Sequence, residues 1–281
     1  MTAQASAPTR SLNELFSSTR ASGRAALIGY LPAGYPTVEG AVDAMRAMVE
    51  AGVDVVEVGL PYSDPLLDGP VIQAVVEQAL AQGVTTTDVL RTVREVAKSG
   101  APTLVMSYWN PIERYGVERF ARDLADAGGA GVITADITPE EAGEWLTASD
   151  AHDLSRVFLV APSSTEERVN LTVSHTSGFV YAAAVMGVTG AREQVAPTAE
   201  ALVRRTKAVT SLPVCVGLGV STGDQAAQIA EFADGVIVGS AFVRALMEAP
   251  TLEAGVTAVR DLATELRSGI ERARRTPTIA E

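Results

Sequence analysis

The sequence predicts an α/β protein, a single (β/α)8 TIM barrel with an extra N-terminal helix and an extra helix after the second strand. Short apolar segments alternate with longer amphipathic ones, which is typical of parallel strands covered by helices. There are eight such repeats, which suits a closed barrel of about 250 residues. An open doubly wound sheet, the alternative, needs fewer strands and usually an early Gly-x-Gly-x-x-Gly turn, which we do not find.

Each predicted strand is a short run rich in Val, Ile and Leu that ends at small or turn-forming residues. The eight strands are predicted at 25–31, 53–59, 102–107, 131–135, 155–160, 178–182, 213–217 and 235–239. The first helix is predicted to begin near Ser11, because Leu12, Leu15 and Phe16 follow at helical spacing. The other helices are predicted at 37–51, 70–82, 85–99, 117–128, 139–149, 165–175, 194–210, 223–232, 241–248 and 251–273. We expect one domain over 1–281, with flexible ends at 1–10 and 274–281.

Composition excludes several classes of protein. The chain has 281 residues, of which 47% are hydrophobic, and a net charge of −12 that disfavours nucleic acid as a partner. A single cysteine, Cys215, allows no internal disulfide, and two histidines suggest no metal site. The polar N-terminus does not resemble a signal peptide, and there is no apolar run of about 18 residues. We therefore expect a cytoplasmic protein without a membrane span.

The most informative residue is Glu57, a carboxylic acid within the apolar second strand. Alternation of side chains places it on the same face as Val53 and Val55, close to the carboxyl end of the strand. Burying a carboxylate there is costly without a partner. Asp68 lies eleven residues later, in a loop that contains three prolines. Two carboxyl groups in different environments can divide the roles of acid and base, so the pair indicates an active site.

Both acids also have a structural interpretation. Asp68 could cap the helix predicted to begin near Pro70. Glu57 could form an ion pair with a buried cation, although the other predicted strands contain few basic residues.

Glycine-rich turns after the last three strands predict a phosphate site. They are Gly187-Val188-Thr189-Gly190, Gly217-Leu218-Gly219-Val220-Ser221 and Gly239-Ser240. In barrels, the loops after strands 7 and 8 often hold a phosphate with backbone amides at a helix N-terminus. The turns contain no lysine or arginine, so amides and the helix dipole are expected to hold the anion. Ordinary tight turns are the alternative.

Side chains at other strand ends indicate where an aromatic substrate could lie. Tyr30 ends the first predicted strand, and Tyr181 ends the sixth. Met106 and Ile133 could form an apolar wall for a flat ring. Each of these residues could instead be part of the barrel packing.

The segment Val-Glu-Val-Gly-Leu-Pro-Tyr-Ser-Asp-Pro-Leu-Leu-Asp-Gly-Pro, residues 56–70, resembles the signature of the tryptophan synthase alpha subunit family. Tyr-Leu-Pro-Ala-Gly-Tyr-Pro at 30–36 and the three glycine turns are also similar. The resemblance extends from about Leu12 to about Arg267. It implies a barrel lyase that cleaves indole-3-glycerol phosphate to indole and glyceraldehyde 3-phosphate by a retro-aldol step.

The resemblance also implies roles for individual residues. Glu57 is implied to be the general acid–base residue, with a pKa raised by the apolar barrel mouth, and Asp68 is implied to be its partner at the indole N–H. The implied substrate-binding residues are Tyr30, Ile72, Met106, Ile133, Tyr181, Gly190, Leu218, Gly219, Val220, Gly239 and Ser240. Pro61 and Asp64 are implied to contact a tryptophan synthase beta subunit in an alpha2beta2 complex.

No metal and no organic cofactor is implied for this chain, since pyridoxal phosphate belongs to the beta subunit. Two departures bear on loop closure: Val185 replaces an arginine found in some members, and the segment 182–184 consists of small alanines. The alternatives are a lyase that acts alone and releases indole, a barrel isomerase of a related aromatic intermediate, and a subunit that only binds a sugar phosphate.

Overall fold

The strands of the computed structural model form one parallel sheet. The structure describes residues 11–184, 192–217 and 219–273, with 192–196 described by their backbone only. The strands are β1 (Ala26–Pro32), β2 (Val55–Gly59), β3 (Thr103–Ser107), β4 (Gly131–Thr134), β5 (Ser155–Val157), β6 (Leu159–Val160), β7 (Val180–Ala183), β8 (Val214–Gly217) and β9 (Gly235–Val238). Their order in the sheet is β5-β4-β3-β2-β1-β9-β8-β7-β6.

The two strands at the ends of this order are neighbours in sequence, so the sheet closes into a barrel. Only Phe158 separates β5 from β6. β5 pairs with β4, and β6 pairs with β7. The fifth predicted strand, 155–160, is therefore one barrel strand interrupted at a buried phenylalanine, where it changes its pairing partner. The predicted eight-stranded barrel is confirmed with this one correction.

Twelve helices are described. They are α1 (Leu12–Ala21), α2 (Val38–Glu50), α3 (Pro70–Ala81), α4 (Thr86–Ala97), α5 (Trp109–Tyr115), α6 (Val117–Asp126), α7 (Gly143–Ala151), α8 (Glu166–His175), α9 (Arg192–Lys207), α10 (Gly223–Ala230), α11 (Ser240–Met247) and α12 (Leu252–Arg272). The extra helix α1 precedes the barrel, and both α3 and α4 follow β2, as predicted. The last stretch of the barrel, after β9, holds α11 and α12.

The sequence did not predict α5. This short helix has no side-chain cap of its own. Its first amide, that of Trp109, instead donates to the Asp136 carboxylate, 2.7 Å away on the loop after β4. A cap supplied by a residue 27 positions away leaves no local signal. The predicted helix 139–149 begins later, at Gly143.

The core has two parts. Most buried residues lie between the sheet and the helices. The second part fills the barrel interior and includes Ile28, Val55, Leu104 and Ile237. Leu12, Leu15 and Phe16 of α1 belong to it, and the ring of Phe16 lies 5.7 Å from that of Phe179. The N-terminal helix thus covers one end of the barrel, which leaves the carboxyl ends of the strands for a site.

We expect replacement of Asp54 with alanine to lower the free energy of unfolding by about 3 kcal/mol. Asp54 is 9% exposed. Its carboxylate accepts from the guanidinium of Arg24 at 2.7 and 2.8 Å, from the amide of Leu27 at 2.9 Å and from Arg267 of α12 at 3.3 Å. Removal of the Asp54 carboxylate leaves the guanidinium groups of Arg24 and Arg267 and the amide of Leu27 without this acceptor. Urea denaturation measures the loss; the control is Asp261→Ala on the exposed side of α12.

Candidate active site

A cavity of about 470 Å³ lies at the carboxyl ends of the strands. Several predicted site residues, which come from distant parts of the chain, meet there. They are Tyr30, Glu57, Asp68, Ile72, Met106, Tyr181, Gly219, Gly239 and Ser240. The rest of the lining is Leu66, Leu67, Gly69, Leu159, Ala183, Ala184, Gly217 and Ile237. Of these, Gly217 belongs to a turn of the predicted phosphate site, and Ala183 and Ala184 belong to the alanine segment noted for loop closure; none was predicted as an individual contact.

Two predicted binding residues that the structure describes, Ile133 and Val220, are absent from this lining. Ile133 is fully buried among the residues of the barrel interior. Val220 is 3% exposed and packs in the core between sheet and helices. Gly190 and Leu218 lie outside the described residues, as does Val185. The roles assigned to these residues stay predictions.

Glu57 is fully buried on β2, with Tyr30 of β1 and Leu104 of β3 as its register neighbours. Neither of its carboxyl oxygens has a hydrogen-bond partner among the described residues. The described residues therefore do not support the interpretation of Glu57 as half of a buried ion pair. Loss of hydration raises the pKa of Glu57 from 4.5 to about 8. The carboxyl group is thus mainly protonated at neutral pH and can donate a proton into the cavity.

Two phenols stand near this acid. Burial raises the pKa of Tyr30, and the nearby Asp68 and Glu57 raise it further. Burial, and then Glu57, also raises the pKa of Tyr181. Both side chains remain neutral hydrogen-bond donors at any physiological pH.

Glycines make room for these rings. A Cβ atom added at Gly59 would overlap the hydroxyl of Tyr30, and one added at Gly217 would overlap the hydroxyl of Tyr181. Both glycines end apolar strands, β2 and β8. The only sequence signal for them is a glycine at a strand end, which turns also produce. Their role in seating the tyrosines required the structure.

Asp68 is half-buried and faces the cavity from the loop between β2 and α3. Its Oδ1 accepts a hydrogen bond from the Tyr108 hydroxyl at 3.2 Å. Burial raises the pKa of Asp68, and the bond from Tyr108 opposes that rise. The interpretation of Asp68 as a helix cap is wrong, because Gly69 occupies the N-cap of α3 and no side chain caps it.

Residues of the predicted glycine-rich turns also line the cavity. Gly217, Gly219, Gly239 and Ser240 line it, and α11 begins at Ser240 without a side-chain cap. Uncapped first-turn amides and the helix dipole favour an anion. No lysine, arginine or histidine occurs in the described part of the lining. The arrangement is consistent with the predicted phosphate site, which stays a prediction.

A second groove, of about 550 Å³, lies on the other side of the same loop. Pro61 and Asp64 line it together with Asn110, Pro111 and Arg114 from the α5 region. Pro61 is buried, whereas Asp64 is exposed and accepts from the Ser63 hydroxyl at 2.6 Å. The 60–69 loop therefore borders both cavities, with its first half at the groove and its second half at the acid pair.

Within the described ranges, no group of three His, Cys, Asp or Glu side chains is placed to hold a metal ion. None of the helices found there has both the length and the apolar character needed to cross a bilayer.

The fold and this cavity define a barrel protein with a buried acid and a second carboxyl group in one cavity at the carboxyl ends of its strands. The family model described as "Tryptophan synthase alpha chain" matches residues 16–271. The chain belongs to this family, a family of carbon–carbon lyases in tryptophan biosynthesis, as the resemblance implied.

Relatives and solved structures agree with this assignment. The tryptophan synthase alpha chain of Salinispora tropica is 60% identical over 255 residues, 91% of this chain and 96% of that protein. The alpha chain of Thermobifida fusca is 56% identical over 267 residues, 94% and 99% of the two chains. A structure of tryptophan synthase from Mycobacterium tuberculosis has a TM-score of 0.86 at 55% identity and covers 94% of this chain and 99% of its own.

The raised pKa of Glu57 predicts a pH-dependent stability difference between the protein and its Glu57→Gln variant. Between about pH 4.5 and 8, the unfolded chain releases the proton of Glu57 while the folded chain keeps it. The folded state then binds more protons, so stability falls as pH rises, by about 1 kcal/mol per pH unit. Glutamine does not titrate, so the free energy of unfolding of the variant rises relative to that of the parent as pH increases over this window.

Urea denaturation at pH 5, 6, 7 and 8 measures that difference. Glu253→Gln, at an exposed position of α12, is the control for a change of glutamate to glutamine elsewhere. A stability difference that is constant from pH 5 to 8 would show that Glu57 titrates alike in the folded and unfolded chains.

Proposed function

We propose that this chain cleaves indole-3-glycerol phosphate to indole and glyceraldehyde 3-phosphate, the alpha reaction, with Glu57 as general acid–base residue and Asp68 as its partner. The observation that carries the assignment of roles is the buried carboxyl of Glu57, which has no hydrogen-bond partner in the part of the chain that the structure describes and faces the same cavity as Asp68. Membership of the alpha chain family supports the reaction, and the geometry supports the roles.

Cleavage of the carbon–carbon bond requires a proton at C3 of the indole ring. Protonated Glu57 donates it, which converts the ring to an indolenine that can accept the electrons of the breaking bond. The bond between C3 and the first glycerol carbon then breaks, and the indole ring takes its electron pair. The hydroxyl on that carbon returns its proton to the Glu57 carboxylate as the aldehyde forms. The acid is thereby regenerated, and a pKa near 8 suits both halves of the cycle.

Asp68 acts at the other end of the indole ring. Positive charge develops on the ring nitrogen when C3 is protonated. An ionised Asp68 accepts the N–H hydrogen bond and stabilises that charge, which lowers the free energy of the protonated ring. The two carboxyl groups thus need opposite protonation states. Burial differs accordingly: Glu57 is fully buried and accepts no hydrogen bond from the described residues, whereas Asp68 is half-buried and hydrogen-bonded to Tyr108.

The rest of the cavity matches the two ends of the substrate. Apolar side chains of Ile72, Met106, Leu159 and Ile237 suit the indole ring. The backbone amides at Gly219, Gly239 and Ser240 suit the phosphate, together with the start of α11. Of the other predicted contacts, Gly190 and Leu218 lie outside the described residues.

The same proposal includes a partner. A tryptophan synthase beta subunit, which carries the pyridoxal phosphate, docks at the groove that Pro61 and Asp64 line, in an alpha2beta2 complex in the cytoplasm. This chain itself uses no cofactor. The position of the groove supports this arrangement, because one loop borders both the groove and Asp68.

An indole-release assay on indole-3-glycerol phosphate tests the reaction, and native mass spectrometry of a mixture with the beta subunit tests the complex. We expect slow indole release by the chain alone and faster release with the beta subunit. Full turnover without it would favour the lyase that acts alone. Conversion of the substrate to an isomer without indole would favour the isomerase, and binding without turnover would favour a subunit that only binds the substrate.

A further inference from the structure

Tyr108 is absent from the described lining of both cavities but contacts the loop that borders them. Its hydroxyl accepts a hydrogen bond from the Leu67 amide at 2.9 Å and donates one to Asp68 Oδ1 at 3.2 Å. It therefore contacts both the backbone and the side chain of the segment that presents Asp68. Its hydrogen bonds therefore reach the site through Leu67 and Asp68, and among these only Asp68 presents a titratable side chain to the cavity.

The tyrosine itself is firmly held. It is 4% exposed and directly precedes α5. Its carbonyl accepts from the Ser107 hydroxyl at 2.6 Å, and the following amide, that of Trp109, donates to Asp136 at 2.7 Å. The ring of Tyr62 lies 5.4 Å from its own, at a tilt of 37°. Two strand ends and the loop thus fix the position of the hydroxyl.

The loop depends on this contact because its own apolar side chains are not buried. Leu66 is 75% exposed and Leu67 is 55% exposed, so their packing contributes little to holding the segment. Asp68 does not cap α3, and its carbonyl accepts instead from the Gln73 side chain at 2.7 Å. Tyr108 is the only side chain that the described residues show in a hydrogen bond to the Asp68 carboxylate.

We propose that Tyr108 is a positioning residue for the lyase reaction, which aims the Asp68 carboxylate into the cavity and favours its ionised form by donating a hydrogen bond to it. The inference rests on the proposed role of Asp68. A carboxylate held in place before the substrate arrives needs no reorganisation as charge develops on the indole nitrogen. The bond to Tyr108 also lowers the pKa of Asp68 against the rise caused by burial.

Tyr108→Phe tests the inference, because it removes the hydroxyl and keeps the ring. We expect kcat for indole release to fall about ten- to a hundred-fold, the range for a hydrogen bond to a charged group, with KM changed less than about two-fold. The acidic limb of the kcat profile is expected to move to higher pH. The other titratable groups that line the cavity, Glu57, Tyr30 and Tyr181, are unchanged by the substitution.

Tyr115→Phe is the matched control. Tyr115 lies at the other end of α5 and donates from its hydroxyl to the Asp123 carboxylate at 2.8 Å, away from the cavity. We expect it to keep the parent kcat and pH profile. If Tyr115→Phe lost as much activity as Tyr108→Phe, loss of a tyrosine hydroxyl at either end of α5 would explain both results, and the inference would be overturned.

The double variant Tyr108→Phe/Asp68→Asn separates positioning from a general structural role. If Tyr108 acts through Asp68, its substitution causes little further loss once Asp68 is asparagine. An equal fold-loss in both backgrounds would overturn the inference. If Asp68→Asn is slow and Tyr108→Phe is fully active, the inference about Tyr108 is overturned, whereas the proposed role of Asp68 stands. A fully active Asp68→Asn would refute the proposed role of Asp68, and the inference would fall with it.

Discussion

The Glu57→Gln variant is expected to lose indole release almost completely, with kcat lower by about 10²- to 10⁴-fold, the range for loss of a general acid–base group. Glutamine has nearly the shape of protonated glutamic acid, but its amide cannot transfer a proton to C3 of indole. Asp68, the other carboxyl group in the described lining of the cavity, is ionised at the indole nitrogen in the proposed mechanism and does not replace this proton donor. Steady-state turnover of indole-3-glycerol phosphate, measured as indole formed, gives the effect.

Binding must persist for that loss to be assigned to chemistry. Because Glu57 forms no hydrogen bond with any residue that the structure describes, we expect a glycerol-phosphate analogue to bind Glu57→Gln with an affinity near that of the parent. Near-full turnover by the variant would refute the role of Glu57. Loss of analogue binding together with turnover would point to a damaged cavity. The urea denaturation described above provides an independent test that the variant is folded, because its free energy of unfolding is expected to rise relative to that of the parent from pH 5 to 8.

The second large effect is expected for Asp68→Asn, with kcat lower by about 10²- to 10³-fold, as when one preorganised electrostatic contact to a transition state is removed. Asparagine keeps the size of the side chain and an acceptor oxygen. It removes the negative charge that stabilises the developing charge on the indole nitrogen. Single-turnover kinetics with saturating enzyme separate this loss from slow product release.

Glu77→Gln is the control for this substitution. Glu77 is an exposed acid on α3, the helix that follows the Asp68 loop, and it does not line the cavity. It is expected to keep the parent kcat. A kcat for Asp68→Asn within about three-fold of the parent would remove charge stabilisation by Asp68 from the mechanism.

Much of the barrel was predictable because its elements have local patterns. Alternation of apolar and amphipathic segments predicted the strands, and the spacing of Leu12, Leu15 and Phe16 predicted α1. The interruption at Phe158 and the helix α5 were not predictable. They depend on a change of strand partner and on a cap from Asp136, both of which come from residues distant in sequence.

The candidate site likewise has one residue that the sequence identified and one that required the structure. Glu57 was identifiable because one acid in an apolar strand breaks the local pattern, and the pattern alone indicates the face that it occupies. For Asp68, the sequence left a helix cap and a site residue open. Only the structure decided between them, because the N-cap position and the contact with Tyr108 depend on how the loop folds against β3 and α5.

By itself, the sequence determined the order of the strands and of the helices other than α5, an acid on the same strand face as Val55 and glycine-rich turns after the last strands. These follow from residue type and spacing, which are local properties. The tertiary structure decided that Glu57 has no cation partner among the described residues, that Asp68 faces the same cavity, and that Gly59 and Gly217 seat the two tyrosines. Those outcomes depend on which side chains meet when the sheet closes, and closure joins residues that are far apart in the chain.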